Sequence, residues 1–310
     1  MFTTIIEKII NKILLILLCK KIDTCLFGKN LKKEIEIKRI LFYFPDEKYM
    51  HLGDHLFFEP TMKNLVKMGY EVSVCPTQMM WLYFEELGYK LIKKTDVTGT
   101  FDLMVTRTDY YEILLKHDNM LLYDYINIGL KEKICNDIMK KIFLYLGLEY
   151  SDSYDDIPSN IIPKKKITFN LDKKEKYILF NNYLDSGKKW NSPEDYNEKF
   201  AKKISELKKE GYKIIHLGTE IDKKNDTYLY KYVDLDLRGK TTIEELFSLV
   251  SLDNVEKNIG FDAFIMHLFF MNKKDNYIYL RNKVTKKREK VTKLYFNPPS
   301  KGIISKIEYL

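Results

Sequence analysis

The sequence predicts an α/β protein built from two doubly wound domains, each a parallel β-sheet covered by helices. Short apolar runs alternate with segments of helical periodicity over residues 39–146 and again over residues 177–271, as repeated strand–helix units do. Residues 151–166 separate the two series, carry two prolines and show no periodicity, which is typical of an interdomain linker. The length of 310 residues fits two such domains.

Composition and charge narrow the class of protein. Hydrophobic residues make up 45% of the chain and charged residues 31%, which is a globular balance and excludes a disordered chain. The net charge of +8 is small for this length and does not by itself indicate a nucleic-acid partner. No C-x-x-C pair occurs, so we expect neither a zinc knuckle nor a disulfide framework and predict a reducing, cytoplasmic compartment.

Residues 1–30 form a separate segment with a predicted amphipathic helix over Phe2–Leu18. Its uninterrupted apolar run, Ile13–Leu18, is far shorter than the ~20 residues of a membrane span, and no small-residue cleavage site indicates a signal peptide. Two alternatives stay open. The helix lies in the plane of a membrane surface, flanked by Lys20 and Lys21, or it packs on its own domain or on a partner subunit.

Residues 31–158 make up the predicted first domain. A loop that contains His51, Gly53 and Asp54 joins its first strand to its first helix. Glycines follow the predicted helix ends, the position that a left-handed residue most often takes. The expected strands are Arg39–Phe44, Glu71–Cys75, Phe101–Thr106 and Met120–Tyr123, and the expected helices are Leu56–Met68, Thr77–Leu87 and Leu130–Leu146.

Residues 159–295 make up the predicted second domain, followed by a tail over residues 296–310. Two helix starts are clear: Pro193 after Ser192, and a capping box in which Thr241 or Thr242 precedes Glu244 or Glu245 by three residues. Ligands of such sheets bind at the carboxyl ends of the strands. The expected strands are Tyr177–Phe180, Tyr212–Leu217 and Tyr277–Leu280, and the expected helices include Ile243–Leu252 and Ala263–Met271.

Four short motifs follow one another along the two domains. They are Gly53-Asp54-His55-Leu56, Ser186-Gly187-Lys188-Lys189-Trp190, Leu237-Arg238-Gly239-Lys240-Thr241-Thr242, and Gly260-Phe261-Asp262 with His267. In this order and spacing, over most of residues 39–272, they resemble glycosyltransferase family 9, the bacterial lipopolysaccharide heptosyltransferases and their relatives. The resemblance implies a GT-B fold, two Rossmann-like domains facing across a cleft, with a nucleotide-sugar donor, inversion at the anomeric carbon and no metal.

The resemblance assigns the role of catalytic base to Asp54. Transfer with inversion needs a carboxylate beside the acceptor hydroxyl to take its proton, and Gly53 lets the backbone approach the acceptor closely. Alternatively, Asp54 only caps the helix. His51 and His55 flank it, and each either binds a substrate hydroxyl, serves as an alternative base or holds the loop.

The donor-binding residues follow from the resemblance in the same way. Lys188, or Lys189 in an alternative register, would stabilise the leaving diphosphate together with helix amides. Glu220 would accept hydrogen bonds from the ribose hydroxyls. For each of these, a solvated polar side chain is the alternative. Further donor-side candidates are Lys240 and Thr241, with simple helix capping as the alternative, and Asp262 and His267, with a core position for the histidine as the alternative.

Arg107 and Asp109 follow a strand of the first domain, where an acceptor would lie, and an arginine there could bind an acidic sugar or a phosphate.

Asp234-Leu235-Asp236 is a D-x-D string, which holds a metal in the other major glycosyltransferase fold. We interpret it here as incidental, because it precedes a helix start in a two-domain pattern.

The predicted function is therefore an inverting, metal-independent glycosyltransferase without a cofactor. It would move a sugar, with a heptose as the expected example, from a nucleotide-diphosphate donor to a saccharide or glycolipid acceptor of lipopolysaccharide or another cell-surface glycan, in peripheral contact with the inner membrane. The alternative is a non-catalytic nucleotide- or saccharide-binding relative. Two departures from the family support it: Ala263-Phe264 replace a small residue and glycine, and Arg281-Asn282 replace a Gly-Pro turn. Nucleic-acid binding through residues 283–293 has no recognised motif behind it.

Overall fold

The chain divides into two compact units, Met1–Pro158 and Ser159–Leu310. Both follow the alternation of strand and helix that the sequence predicts, and the α/β fold class is confirmed. The predicted N-terminal helix and the C-terminal tail lie outside the described residues. The computed structural model describes residues 36–48, 50–97, 101–107, 120–123, 134–151, 153–163, 169–182, 193–225, 228–261 and 263–279.

The first unit places its strands close to the predicted positions. The helix predicted over Leu56–Met68 is observed as two helices, because the Asp54 loop itself starts a short helix and Pro60 stands at the start of the next. The elements are β1 Arg39–Tyr43, α1 Leu52–Leu56, α2 Glu59–Lys67, β2 Glu71–Cys75, a 3₁₀ turn Gln78–Met80, α3 Trp81–Glu86, β3 Lys90–Leu91, a 3₁₀ turn Lys94–Asp96, β4 Leu103–Arg107, β5 Met120–Tyr123 and α4 Ile134–Leu146.

The sheet of the first unit is parallel, with strand order β3-β2-β1-β4-β5. The chain adds β2 and β3 on one side of β1 and then β4 and β5 on the other, so the direction of winding reverses between β1 and β4. Ligands of doubly wound sheets bind at this reversal. Ile40, Leu41, Phe42 and Tyr43 of β1 are all buried, as expected for a central strand covered on both faces. This apolar run is the reason that the sequence indicates β1 so clearly.

The second unit repeats the arrangement, with strand order β10-β9-β6-β7-β8. Counted from its own first strand this is the order of the first sheet, and the winding reverses between β6 and β9. The elements are β6 Lys176–Asn181, α5 Pro193–Lys209, β7 Tyr212–His216, α6 Glu220–Asn225, a 3₁₀ turn Leu229–Tyr232, β8 Leu235–Asp236, α7 Ile243–Ser251, β9 Val255–Phe261, α8 Phe264–Met271 and β10 Asp275–Tyr279.

The central strand β9 is the main element that the sequence pattern did not predict. Its residues include Glu256, Lys257 and Asn258, and polar residues at three successive positions hide the strand from a search for apolar runs. In the fold, Asn258 is fully buried and hydrogen-bonded to neighbouring strands, which compensates its polar side chain.

Within the described ranges, none of the helices is both long and apolar enough to cross a membrane.

Candidate active site

Asp54 lies in the connection that follows β1, inside the first turn of α1. The backbone N–H of His51 donates to Asp54 Oδ2 at 3.3 Å, and the Asp54 N–H donates to the His51 carbonyl at 3.0 Å. The N-cap of α1 is thus His51 and not Asp54, and Asp54 takes part in the cap from the third position of the helix. A capping bond fixes the carboxylate in one orientation, which a catalytic base also requires.

Arg107 ends β4 and forms an ion pair with Asp54. The Arg107 Nη1 atom is 3.7 Å from Asp54 Oδ2, and the two side chains are 18% and 16% exposed. Because β1 and β4 are neighbours at the reversal of winding, the residues that follow them meet at the ligand edge of the sheet. The structure thus brings together a carboxylate that can accept a proton and a guanidinium that can hold an anion, both still partly open to solvent.

His55 and His51 have different surroundings. The His55 ring is fully buried, its Nε2 accepts from the Thr77 N–H at 3.3 Å, and its Nδ1 lies 3.0 Å from the His51 carbonyl. Burial lowers the pKa of His55 to about 4, so the ring is neutral at physiological pH. These contacts favour the loop-holding alternative for His55. His51 is exposed, and Gly53 lies within α1 directly before Asp54.

Two loops of the second unit meet at Glu220. The Gly239 N–H donates to the Gly218 carbonyl at 2.9 Å, which joins the loop after β8 to the loop after β7. A Cβ atom on Gly239 would lie 2.5 Å from Glu220 Oε2 and 3.2 Å from its Cα, so the glycine is required for this approach. Glu220 and the Gly239–Thr241 segment, two of the predicted donor-side groups, are thereby neighbours.

Lys240 and Thr241 directly precede the cap of α7. The cap is Thr242, whose Oγ1 accepts from the Glu245 N–H at 3.2 Å while Glu245 Oε2 accepts from the Thr242 N–H at 3.0 Å. The predicted capping box is thus confirmed, in the register of Thr242 and Glu245. Lys240 is exposed, and its Nζ lies 3.2 Å from the Asp236 carbonyl.

The carboxylates of the D-x-D string have partners inside the unit. Asp234 accepts from the Ile214 N–H at 2.8 Å and from Lys208 Nζ at 2.9 Å. Asp236 accepts two bonds of 2.9 Å from the Arg238 guanidinium, whose side chain is buried. These contacts agree with the interpretation of the string as incidental. Among the described residues, no group of three or more His, Cys, Asp or Glu side chains is arranged to hold a metal ion.

His267 and Phe264 belong to α8. Burial lowers the pKa of His267 to about 4. The Phe264 ring packs edge-on against Phe247 of α7, with ring centroids 5.9 Å apart, so α7 accommodates the bulk of this unusual residue. The remaining predicted site residues lie outside the described residues: Lys188, Lys189, Asp262 and Asp109.

A buried row of three asparagines crosses the second sheet, and the sequence reasoning missed it. Asn181 Nδ2 donates to Asn258 Oδ1 at 3.3 Å, Asn258 Nδ2 donates to Asn276 Oδ1 at 3.0 Å, and Asn276 Nδ2 donates to the Met266 carbonyl of α8 at 3.3 Å. The row links β6, β9 and β10 to the first turn of α8. Its only sequence signal is one asparagine within each of β6, β9 and β10.

Comparison with known proteins places this geometry in context. No protein-family model and no curated protein matches the chain, whereas solved structures do. A glycosyl transferase of family 9 from Veillonella parvula superimposes with a TM-score of 0.65 at 14% identity, over 90% of this chain and 89% of that one. The chain has the GT-B fold. The predicted likeness to family 9 is thereby confirmed at the level of the fold.

Two further solved structures support the same fold. Escherichia coli ADP-heptose lipopolysaccharide heptosyltransferase II matches with a TM-score of 0.54 at 12% identity, over 87% of this chain and 90% of that one. The E. coli heptosyltransferase WaaC with ADP matches with a TM-score of 0.56 at 11% identity, over 88% and 93%.

Proposed function

We propose that this protein is an inverting glycosyltransferase that moves a sugar from a nucleotide-diphosphate donor to a saccharide acceptor. The observation that carries the proposal is the Asp54–Arg107 pair, 3.7 Å apart at the reversal of winding in a GT-B fold. Solved proteins with this fold include a glycosyl transferase of family 9 and a heptosyltransferase determined with ADP. Fold alone does not specify chemistry, so the proposal depends on what the site residues can do.

In the proposed reaction Asp54 acts as general base. The acceptor hydroxyl oxygen forms a bond to the anomeric carbon while the bond from that carbon to the diphosphate oxygen breaks. The hydroxyl proton passes to the Asp54 carboxylate, and the bonding electron pair leaves with the diphosphate. Attack from the face opposite the leaving group inverts the anomeric centre. Arg107 orients Asp54 and attracts an acidic acceptor.

The second unit supplies the proposed donor contacts. Glu220, held against Gly239, would accept hydrogen bonds from the ribose hydroxyls, and the amides beside Lys240 and Thr241 would face the nucleotide. Lys188 or Lys189 would stabilise the leaving diphosphate, together with the Asp262 segment and His267. A nucleotide sugar bound in this way needs no metal ion, and a heptose is the sugar that we propose to test first.

A peripheral location at the inner face of the cytoplasmic membrane belongs to the same proposal. The net charge of +8 and the amphipathic pattern of residues 1–30 support attraction to an anionic leaflet. Such a location would bring the site to a lipid-linked acceptor of lipopolysaccharide or another surface glycan.

The test incubates the full chain with ADP-heptose and deacylated lipopolysaccharide cores, and follows ADP release and the mass of the product. We expect product with an inverted anomeric configuration by NMR, and turnover that persists in EDTA. A panel of UDP-, GDP-, CDP- and dTDP-sugars tests the choice of donor. A chain that neither releases nor binds any nucleoside diphosphate supports the non-catalytic alternative, which the Ala263-Phe264 departure favours.

A further inference from the structure

Three hydrogen bonds, joined through the backbone of His51, link Thr77 after β2 to the carboxylate of Asp54. The first begins at the Thr77 backbone N–H, which donates to His55 Nε2 at 3.3 Å. The second joins His55 Nδ1 to the His51 carbonyl, 3.0 Å away. The third begins at the His51 backbone N–H, which donates to Asp54 Oδ2 at 3.3 Å.

The direction of each bond follows from the groups at its ends. A backbone N–H can only donate, so His55 Nε2 is the accepting nitrogen and the ring proton is on Nδ1. Nδ1–H then donates to the His51 carbonyl, which can only accept. The neutral imidazole therefore has one arrangement that satisfies both partners, and protonation would break the bond from Thr77.

Packing holds the ring in this arrangement. The His55 side chain is fully buried, and the rings of Phe44 and Phe84 each have their centroids 6.2 Å from it. An apolar side chain would fill such a pocket at a lower cost of desolvation. The imidazole is thus a costly choice whose visible effect is to fix His51, whose carbonyl also accepts the Asp54 N–H at 3.0 Å.

We infer that His55 is a positioning residue, which holds the His51 carbonyl and with it the start of α1, so that Asp54 keeps one orientation beside Arg107. The inference rests on the proposed function for the role of Asp54 in turnover. His55 itself is fully buried and would act through the backbone of His51. Its two hydrogen bonds connect the segment after β2 to the short helix α1, which has only five residues and little stability of its own.

Three variants of the full chain separate this role from simple packing. His55→Leu keeps the volume and loses both hydrogen bonds. His55→Gln keeps a donor and an acceptor with a spacing like that of the two ring nitrogens. Thr77→Pro removes the N–H donor together with the buried Thr77 hydroxyl, and the Thr77 φ of −61° is compatible with proline. Phe143→Leu, in the core of the same unit, is the packing control.

The main measurement is kcat and KM for ADP-heptose with deacylated lipopolysaccharide cores. We expect His55→Leu and Thr77→Pro to lower kcat about 100-fold with the donor KM changed less than about twofold, because misplacing a reacting group costs this much. His55→Gln should stay within about fivefold of the wild type. Full kcat in both His55→Leu and Thr77→Pro, alongside an inactive Asp54→Asn, would overturn the inference.

A second measurement does not depend on activity. Hydrogen exchange of the His51 amide reports its bond to Asp54 directly. It should accelerate about tenfold in His55→Leu and Thr77→Pro and stay near the wild-type rate in His55→Gln and Phe143→Leu. Equal exchange in all variants would overturn the inference even if no turnover were found. Conversely, accelerated exchange combined with a fully active Asp54→Asn would refute the proposed catalytic role of Asp54 and leave the positioning role of His55 standing.

Discussion

The strands β1 and β4 carry an aspartate–arginine pair at each end, and the two pairs differ in construction. At the amino end, Arg39 Nη2 is 2.8 Å from Asp102 Oδ1, and Asp102 Oδ2 also accepts from the backbone N–H groups of Lys38 and Arg39. At the carboxyl end, Arg107 Nη1 is 3.7 Å from Asp54 Oδ2. The first pair is a tight, multiply bonded clamp between strands. The second is a looser contact on the edge where ligands bind.

The difference shows how one fold places the same two residue types in two different settings. The Asp102 carboxylate, which accepts from two backbone N–H groups and from Arg39 at 2.8 Å, serves stability. The Asp54 carboxylate accepts from the His51 N–H and lies at longer range from its guanidinium, and in the proposed reaction it takes up a proton. Position relative to the strand ends therefore matters more than residue identity, since only the carboxyl end of a doubly wound sheet faces ligands.

The largest expected effect comes from removing the carboxylate at the ligand edge. Asp54→Ala or Asp54→Asn should lower kcat with ADP-heptose by about 10³-fold or more, because the proposed general base is lost. Affinity for ADP, measured by calorimetry, should stay nearly unchanged. Asp102→Asn is the matched control at the other end and should keep wild-type kcat. Comparable losses in both variants would show that the two ends do not differ in function.

As the pH falls, the free energy of unfolding should decrease first through His55, near the carboxyl ends of β1 and β4. The pKa of His55 is lowered by burial to about 4, from an ordinary value of 6.5, so the unfolded chain takes up the proton at higher pH than the folded chain. This contribution to stability is present above about pH 6.5 and is lost as the pH falls towards 4, in total about 3 kcal/mol. Urea unfolding of wild type and His55→Gln over this range measures the difference.

His267 of the second unit has the same lowered pKa of about 4. It therefore adds its own pH dependence to the free energy of unfolding. The wild-type curve therefore contains both histidines, and His267→Gln serves as the control for the second unit. A wild-type curve parallel to that of His55→Gln between pH 6.5 and 4 would contradict the prediction.

Replacing the arginine at the ligand edge should have an intermediate effect. Arg107→Met should lower kcat/KM about 10- to 30-fold, through a less oriented Asp54 and weaker attraction of an acidic acceptor. Arg39→Met, the control at the amino end, should leave kcat/KM within about twofold of the wild type and change only stability. Steady-state kinetics at varied acceptor concentration separates the two residues, and equal losses would refute the distinction.

The smallest expected effect belongs to the clamp at the amino end. The Arg39 guanidinium, with the Lys38 and Arg39 amides, lowers the pKa of Asp102 to about 2. The contribution of Asp102 to the free energy of unfolding is present above about pH 4 and is lost as the pH falls through 2. Because solvent partly screens the pair, this contribution is about 1 kcal/mol. Chemical denaturation of Asp102→Asn should show this loss at pH 7 and a flatter dependence below pH 4. An unchanged acid dependence would exclude the clamp as its source.

The two aspartate–arginine pairs also show which features of the site can be predicted from the sequence. Asp54 could be singled out because a Gly-Asp pair follows an apolar strand and belongs to a recognisable series of motifs. Its pairing with Arg107 could not be predicted, because 53 positions of chain separate the two residues, counted as 107 minus 54. The bond from Thr77 to His55 was equally hidden, since Thr77 reaches the ring only after β1 and β2 pair.

The sequence by itself determined the alternation of strands and helices, the caps and the two-part organisation, because apolar periodicity, glycines and capping residues act locally along the chain. Tertiary structure alone decided that Asp54 faces Arg107, that three asparagines join across β6, β9 and β10, and that Gly239 meets Glu220. These contacts depend on strand order and register. Both arise from the packing of the whole sheet, which no short segment encodes.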